Sequence, residues 1–287
     1  MAKSPSHKLG ELIGAFFEEW LIEYLKPIVS EKEFYLDYCH PRKARNNCSD
    51  VIEIDENGNE HKLDIVIEAN GSEDTAGNPR AFIEMAWRRY TKHSKAKAQE
   101  ISGAILPLVQ KYKQNFPFYA AVLSGEFTPN SIAQLKSEGF YVVHISYEDM
   151  CQLYQDAVGI DIAWEESTPN EQIEEIASYV ENLSDQRKNA LKEAFYNRNR
   201  NKLEALADAV VESLTKQVKQ ITVTPIHGKG HILSSADGAE AFIQNYDEDS
   251  KPPILRYEIT IEYTNGAEFT MVCGDKHEVI QFLNEYR

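Results

Sequence analysis

Two short apolar runs, each interrupted by one carboxylate, place the strongest constraint on how this chain folds. Leu63–Glu68 and Ala81–Trp87 have the length and β-branched content of buried strands, and a loop rich in Gly, Asn and Pro separates them. Asp64 stands near the start of the first run, and Glu84 lies inside the second. An ionised carboxylate in a buried strand needs a cation or a metal ion as its partner. The two runs therefore predict a charged site within a sheet.

A basic segment follows the second run directly. It contains no acid, and its cations are interleaved with Trp87, Tyr90 and His93 before an amphipathic helix begins near Ala96. The cations are Arg88, Arg89, Lys92, Lys95 and Lys97. Two acids that converge from neighbouring strands beside a cationic surface are the groups with which a protein holds Mg²⁺ against a phosphodiester.

The two acids, and the order of elements around them, resemble the PD-(D/E)xK nuclease superfamily, the fold of most type II restriction endonucleases. In that family an Asp and a Glu bind metal, and a Lys two residues after the second acid assists the attacking water. Asp64 and Glu84 match the two acids, whereas Leu63 stands in place of the Pro and Ala86 in place of the Lys. The resemblance implies a DNA endonuclease of restriction or antiviral defence that uses Mg²⁺ or Mn²⁺.

The resemblance also implies roles for individual side chains. Asp64 and Glu84 would hold the metal, and Glu68, on the same face of a regular strand, is a further candidate ligand. The phosphate backbone would be held by the five cations after Glu84, with Gln99 and Glu100 as less certain members of the site. A first predicted helix, Lys8–Leu25, carries four glutamates that either face solvent or include one that faces the metal: Glu11, Glu18, Glu19 and Glu23.

A second basic cluster lies earlier in the chain and has two interpretations. Arg42, Lys43 and Arg45 form either an exposed solubilising loop or a loop that contacts the DNA backbone. The acids also have simpler interpretations. Asp64 at a strand end can be satisfied by backbone amides, and Glu84 can form a buried ion pair with Arg88 or Lys62.

The alanine at position 86 leaves three explanations open. One of Lys92, Lys95 or Lys97 reaches back to the catalytic position, or the protein is a natural binder that does not cut, or Ala86 is a deliberate inactivating change. The second explanation defines an alternative function, a catalytically inactive nuclease-fold subunit that binds DNA or protein within a defence complex. Restoring a lysine at position 86 discriminates between these explanations.

The order of predicted elements gives the fold class and the domains. A helix, three strands that carry both acids, then helix, strand, helix and strand predict an α/β domain over residues 1–165, with a restriction-endonuclease-like mixed sheet flanked by helices. Pro27 is predicted to end the first helix, and the Asn57-Gly58 step predicts a tight hairpin. Residues 166–216 predict a helical connector, and residues 217–287 a small α+β accessory domain.

Composition limits the class of protein and its partners. The 287 residues carry a net charge of −16 without a long apolar run or a secretory signal, which favours a soluble cytoplasmic protein with no membrane contact. Four cysteines without regular spacing indicate neither disulfides nor a zinc site. The acidic charge argues against indiscriminate coating of nucleic acid, although a local basic patch still allows DNA binding. The expected partners are DNA and either a second copy or a protein of a defence complex.

Overall fold

The protein divides into two compact units. The structure, a computed structural model, describes residues 4–226, 228–248 and 256–286. Contacts between Cα atoms separate the units between Leu214 and Thr215. Each unit has its own sheet and helices and is described by itself.

A five-stranded mixed sheet forms the centre of the first unit. Its strands are β1 (Phe34–Tyr38), β4 (Ile65–Ala69), β5 (Asn78–Arg88), β6 (Phe118–Gly125) and β7 (Tyr141–Ile145), in the spatial order β1-β4-β5-β6-β7. The pairs on the β1 side of β5 are antiparallel, and those on the β7 side are parallel. The predicted mixed sheet flanked by helices is confirmed.

A separate two-stranded ribbon leads the chain into this sheet. It consists of β2 (Val51–Ile54) and β3 (Glu60–Leu63), joined by the predicted hairpin at Asn57-Gly58. Asp64 is the single residue between β3 and β4, so the apolar run predicted as one strand is divided at its carboxylate. Ile65 lies opposite Ile83 in the antiparallel β4–β5 pair. Because the strands are antiparallel, the residue before Ile65 lies beside the residue after Ile83, which places Asp64 next to Glu84.

Helices cover both faces of the first sheet. They are α1 (Pro5–Glu31), α2 (Ser94–Lys111), α3 (Pro129–Ser137), α4 (Tyr147–Val158), α5 (Asn170–Glu181) and α6 (Asp185–Thr215). One apolar core joins α1, α4, α5 and α6 to one face of the sheet, and α2 and α3 pack in a second core on the other face. Since α5 and α6 share a core with α1, the segment predicted as a connector lies within the first unit.

The first helix continues past Pro27, which contradicts the prediction that this residue ends it. Proline removes one backbone donor and crowds the preceding turn, which destabilises a helix interior. Here Leu25 and Val29 on either side are completely buried in the core. Burial of this last turn offsets the cost, so α1 runs to Glu31.

The second unit is a small antiparallel α+β domain, as predicted. Its elements are β8 (Val218–Pro225), β9 (His231–Leu233), α7 (Ala236–Asn245), β10 (Tyr257–Tyr263), β11 (Glu268–Cys273) and α8 (Lys276–Leu283). The strands follow the order β11-β10-β8-β9, and α7 packs against α8.

This unit contains an internal repeat of a ββα segment. Ile221-Thr222 in β8 corresponds to Ile259-Thr260 in β10. The helix caps Ser235 and Asp275 each accept a hydrogen bond from the backbone N–H three residues later. Each helix carries a Phe whose ring contacts that of a Tyr four residues later, just past the end of the helix, in the pairs Phe242–Tyr246 and Phe282–Tyr286. Because equivalent strands β8 and β10 pair antiparallel at the centre, the two halves are related by an approximate two-fold axis.

No helix among the described residues has both the length and the apolar character that crossing a membrane requires.

Candidate functional site

Asp64 and Glu84 are held side by side by a reciprocal pair of backbone hydrogen bonds. The backbone N–H of Asp64 donates to Oε1 of Glu84 at 3.2 Å, and the N–H of Met85 donates to Oδ2 of Asp64 at 2.7 Å. Each carboxylate therefore has one oxygen fixed by a main-chain donor. The second oxygen of each acid has no protein donor within the described residues and is available to a ligand.

The simpler interpretation of Glu84 as a buried ion pair is wrong for the described chain. Glu84 is 5% exposed, yet its two proposed partners are engaged elsewhere. Lys62 forms an ion pair with Asp50 at 2.7 Å, and Arg88 donates to the carbonyl oxygen of Trp87 at 2.8 Å. The simpler interpretation of Asp64 accounts for one of its two oxygens. A buried acid without a cationic partner is costly to ionise.

Burial holds both acids toward their protonated forms. Burial raises the pKa of Glu84 to about 8, and the charge of Asp64 adds to this shift. Burial likewise raises the pKa of Asp64, while the Met85 N–H and the charge of Lys97 oppose the change. Paired acids with raised pKa values are typical of functional sites, where a cation normally completes the arrangement.

A third acid approaches this pair from α1. Glu18 is half-buried, and burial together with the charge of Asp64 raises its pKa. Two of the other predicted candidates face away, since Glu19 and Glu23 both bind Lys192 of α6 at 2.8 Å. Glu11 is exposed and lines the same cleft as Glu18 and Asp64. Among the four predicted glutamates, Glu18 is the one whose pKa the charge of Asp64 raises.

Of the three candidate lysines, Lys97 is the one that lines the cleft with Asp64 and whose charge acts on both acids. Its side chain is 13% exposed, and its charge lowers the pKa of both Asp64 and Glu84. Its ammonium also pairs with Glu100 at 2.6 Å, which places that less certain member beside the site. Lys92 is 59% exposed and pairs with Glu166, and Lys95 is exposed on the outer side of the helix start.

Asp64 lines a cleft of about 850 Å³ between α1 and the end of β5, and Glu84 is buried beside Asp64. Two glycines form part of the α1 wall: a Cβ at Gly10 would lie 3.5 Å from Nε1 of Trp87, and one at Gly14 would lie 3.7 Å from Cβ of Trp87. Side chains at these positions would fill the space beside the indole. Other lining residues used below are Glu18, Ala86, Arg88, Tyr90, Lys97 and Trp164.

Arg42, Arg45 and Glu68 belong to a buried ionic network, which corrects three predicted roles. Both oxygens of Glu68 accept hydrogen bonds from the Arg42 guanidinium, at 2.9 and 2.8 Å, so Glu68 is not free to bind a metal. Arg42 is 1% exposed and also binds Asp37, and Arg45 binds the same carboxylate at 2.7 Å. Neither arginine presents its charge to DNA. Lys43, the third member of the predicted loop, is exposed and pairs with Asp74.

Arg89 is also a structural residue, not a free phosphate contact. Its guanidinium lies 3.9 Å from the ring centre of Tyr147 and donates through Nε to the carbonyl oxygen of Trp164. It pairs with Glu165 at 2.9 Å. Arg89 therefore holds the segment between α4 and α5 against the end of β5 through Trp164 and Glu165. Arg88 differs, because it lines the cleft and has no carboxylate partner within the described residues.

No family model and no curated protein matches the chain. The chain is similar to a crystal structure of a protein of unknown function, AF1548. The match covers 64% of this chain and 99% of AF1548, with 13% sequence identity and a TM-score of 0.30.

The raised pKa of Glu84 predicts how stability depends on pH. In the unfolded state Glu84 releases its proton near pH 4.5, whereas in the native state it keeps the proton up to about pH 8. The stability that protonated Glu84 contributes is therefore complete below pH 4.5 and is lost as the pH rises through about 8. In EDTA, Glu84→Gln is expected to gain stability relative to the parent by about 2 kcal/mol or more between pH 5 and 9. Urea unfolding followed by tryptophan fluorescence measures it, because Trp20, Trp87 and Trp164 all lie in the first unit.

Glu174→Gln, which changes an exposed acid of α5 away from the site, serves as the control and should show little pH-dependent change. An equal gain in both variants would mean that Glu84 titrates like a surface acid.

Proposed function

We propose that the protein is a Mg²⁺-dependent nuclease that hydrolyses phosphodiester bonds of DNA in the cleft beside α1. One observation carries the proposal: the buried Glu84 of β5 and the partly buried Asp64, which directly precedes β4, are tied together by backbone hydrogen bonds, and each keeps one oxygen directed to no protein donor in the described chain. Glu18 and Lys97 approach the same pair. The resemblance to PD-(D/E)xK nucleases assigns this chemistry to matching positions.

The donor set fits a hard divalent ion. Carboxylate oxygens suit Mg²⁺ and Mn²⁺, and Mg²⁺ is usually bound by one or two carboxylates together with waters and substrate phosphates. No group of three acid, His or Cys side chains arranged to hold a metal occurs among the described residues. Asp64 and Glu84 would therefore provide the protein ligands, and water and the scissile phosphate would complete the coordination.

The chain's own residues supply the remaining functions. When bound, Mg²⁺ polarises the scissile phosphate and makes a water molecule more acidic. Asp64 and Glu84 fix the position of the ion, and their raised pKa values disfavour ionisation until a cation is present. Arg88 at the cleft wall is placed to hold a substrate phosphate. Lys97 would orient the attacking water and stabilise negative charge that develops on the phosphate.

Assigning this role to Lys97 accounts for the alanine at position 86. In the resembling family the lysine follows the second acid along the strand, whereas here Ala86 is buried against the apolar core below α2. Lys97 comes from α2, which packs over that face of the sheet. A cation can thus reach the acids from the helix instead of the strand.

The role of Lys97 predicts a specific loss of activity. In Mg²⁺, Lys97→Met is expected to slow DNA cleavage at least about a hundredfold, because it removes a charge at the reacting phosphate. Lys95→Met, two residues earlier and exposed, should retain the parental rate. The measurement is the initial rate on plasmid and on single-stranded circular DNA at saturating Mg²⁺. Equal rates for the two variants would remove Lys97 from the reaction.

The absence of a lysine at position 86 favours a second candidate, a nuclease-fold subunit that binds DNA without cutting it. Ala86→Lys tests this candidate. Cleavage by the parent excludes it, cleavage only by Ala86→Lys identifies a vacated catalytic position, and cleavage by neither supports the binding subunit.

A further inference from the structure

We propose that the cleft takes a single-stranded segment of nucleic acid in preference to a duplex, with bases stacked on its aromatic side chains. The inference rests on the proposed function because it names the substrate class of the same cleft. Three observations carry it: the depth of the acids, the scarcity of unpaired cations and the aromatic lining.

The first observation is that the acids lie below the surface. Glu84 is 5% exposed, and its partner Asp64 is partly buried and lines the cleft of about 850 Å³. The cleft is bounded by α1 and by the segment that Arg89 holds through Trp164. A phosphate reaches Asp64 only if the strand that carries it enters between these walls. A single strand can enter in this way, whereas a duplex brings a second strand and paired bases with it.

The second observation is that the cleft offers little free positive charge. Arg89 pairs with Glu165, and Lys97 pairs with Glu100. Among the lysines and arginines that line the cleft in the described chain, Arg88 is the one without a carboxylate partner. Duplex binding draws much of its affinity from neutralised phosphates, and the net charge of −16 opposes the approach of any polyanion. The cleft therefore needs a contribution to affinity that does not depend on charge.

The third observation supplies that contribution. Trp87 and Tyr90 line the cleft with partly exposed rings, and the buried Trp164 packs behind them against Tyr147. Aromatic side chains bind unpaired bases by stacking, and this requires base faces that a duplex keeps covered. The indole nitrogens of Trp87 and Trp164 are also buried without an acceptor in the described residues.

The test measures the binding of about 20-nucleotide oligothymidylate, oligouridylate and a blunt DNA duplex of equal length by fluorescence anisotropy in EDTA, where cleavage does not occur. At least one single strand should bind about tenfold or more tightly than the duplex. Its affinity should fall only shallowly with salt, with a slope of log K against log salt of about −2 or smaller in magnitude. The DNA and RNA arms identify which sugar the cleft accepts. Equal or tighter duplex binding would overturn the proposal.

Variants at Tyr90 test the stacking itself. Tyr90→Ala should weaken binding of the single strand about fivefold to a hundredfold, and Tyr90→Phe should restore it, because stacking needs the ring and not the hydroxyl. Tyr179→Ala, which removes an exposed tyrosine of α5 outside the cleft, is the matched control and should have no effect. Equal losses for Tyr90→Ala and Tyr179→Ala, or no recovery in Tyr90→Phe, would remove stacking from the account.

This outcome is separable from that of the proposed function. Cleavage of duplex DNA with no preference for single strands would overturn the inference and leave the nuclease in place. Tight binding of single strands without cleavage by the parent or by Ala86→Lys would support the inference and overturn the nuclease.

Discussion

Replacing Arg42 by methionine is expected to destabilise the first unit by about 3–5 kcal/mol, because it leaves the buried Glu68 without its cation and the buried Asp37 with Arg45 alone. The Arg42 guanidinium donates to Asp37 at 2.6 Å, to both oxygens of Glu68, and to the carbonyl oxygens of Ser72 and Thr75. No water reaches this group, since the residue is 1% exposed. Methionine fills a similar volume but satisfies none of these acceptors.

Lys43→Met, at the adjacent position, is the control. Its side chain is 69% exposed and forms one surface ion pair with Asp74, so the expected change is within about 1 kcal/mol. Urea unfolding followed by tryptophan fluorescence compares the two variants in the same unit. If Arg42→Met lowered the free energy of unfolding by less than about 1 kcal/mol, the network would contribute little to stability and would serve mainly to fix the conformation of the loop.

The contrast between Arg42 and Lys43 shows where inference from sequence failed. The run from His40 to Arg45 has the composition of an exposed basic loop, and local composition contains no sign that one of its arginines is buried. The partners of Arg42 lie at Asp37 and Glu68, and Glu68 is 26 residues away. A bulge between Ile67 and Glu68 alters the regular strand alternation that had placed Glu68 beside Asp64. Pairings of this kind depend on the tertiary fold and leave no local signal.

The position of Lys97 was easier to predict, because its spacing from the buried residues of α2 shows which face of the helix it lies on. α2 buries Ile101 and Ile105, and Lys97 precedes them by one and two turns on the same face. Lys95 lies on a different face. The same reasoning applies to Glu18, which follows Gly10 and Gly14 at intervals of four along α1. Trp164 had no comparable signal, because an irregular segment brings it to the cleft from the far end of the unit.

The strands and their acids were predictable because they depend on short-range pattern. Apolar runs, Gly-rich turns and an Asn-Gly step are local features, and they correctly predict the sheet that carries Glu84. The break at Asp64 was not predicted, although it decides the geometry of the site. One residue, Asp64, lies between the last strand of the ribbon, β3, and the first strand of the sheet that follows it, β4. That residue carries the carboxylate of the site.

Asp64→Asn is expected to abolish Mg²⁺ binding while it preserves the fold. The amide oxygen of Asn still accepts a hydrogen bond from the Met85 N–H, which keeps the loop in place. The variant lacks the negative charge that a hard divalent ion requires. Asp50→Asn is the matched control, because Asp50 is a partly exposed acid that pairs with Lys62 on the neighbouring ribbon. Titration calorimetry should detect Mg²⁺ binding in the parent and the control and none in Asp64→Asn, with Zn²⁺ not required.

Cleavage by the same three proteins tests the central claim most directly. The measurement is the initial rate of hydrolysis of single-stranded circular DNA and of plasmid in Mg²⁺, with EDTA as the blank. The account predicts that the parent and Asp50→Asn cleave at similar rates and that Asp64→Asn is at least about a hundredfold slower, because the metal contributes several kcal/mol to the transition state. Cleavage by Asp64→Asn at the parental rate, or none by the parent on either substrate, would contradict it.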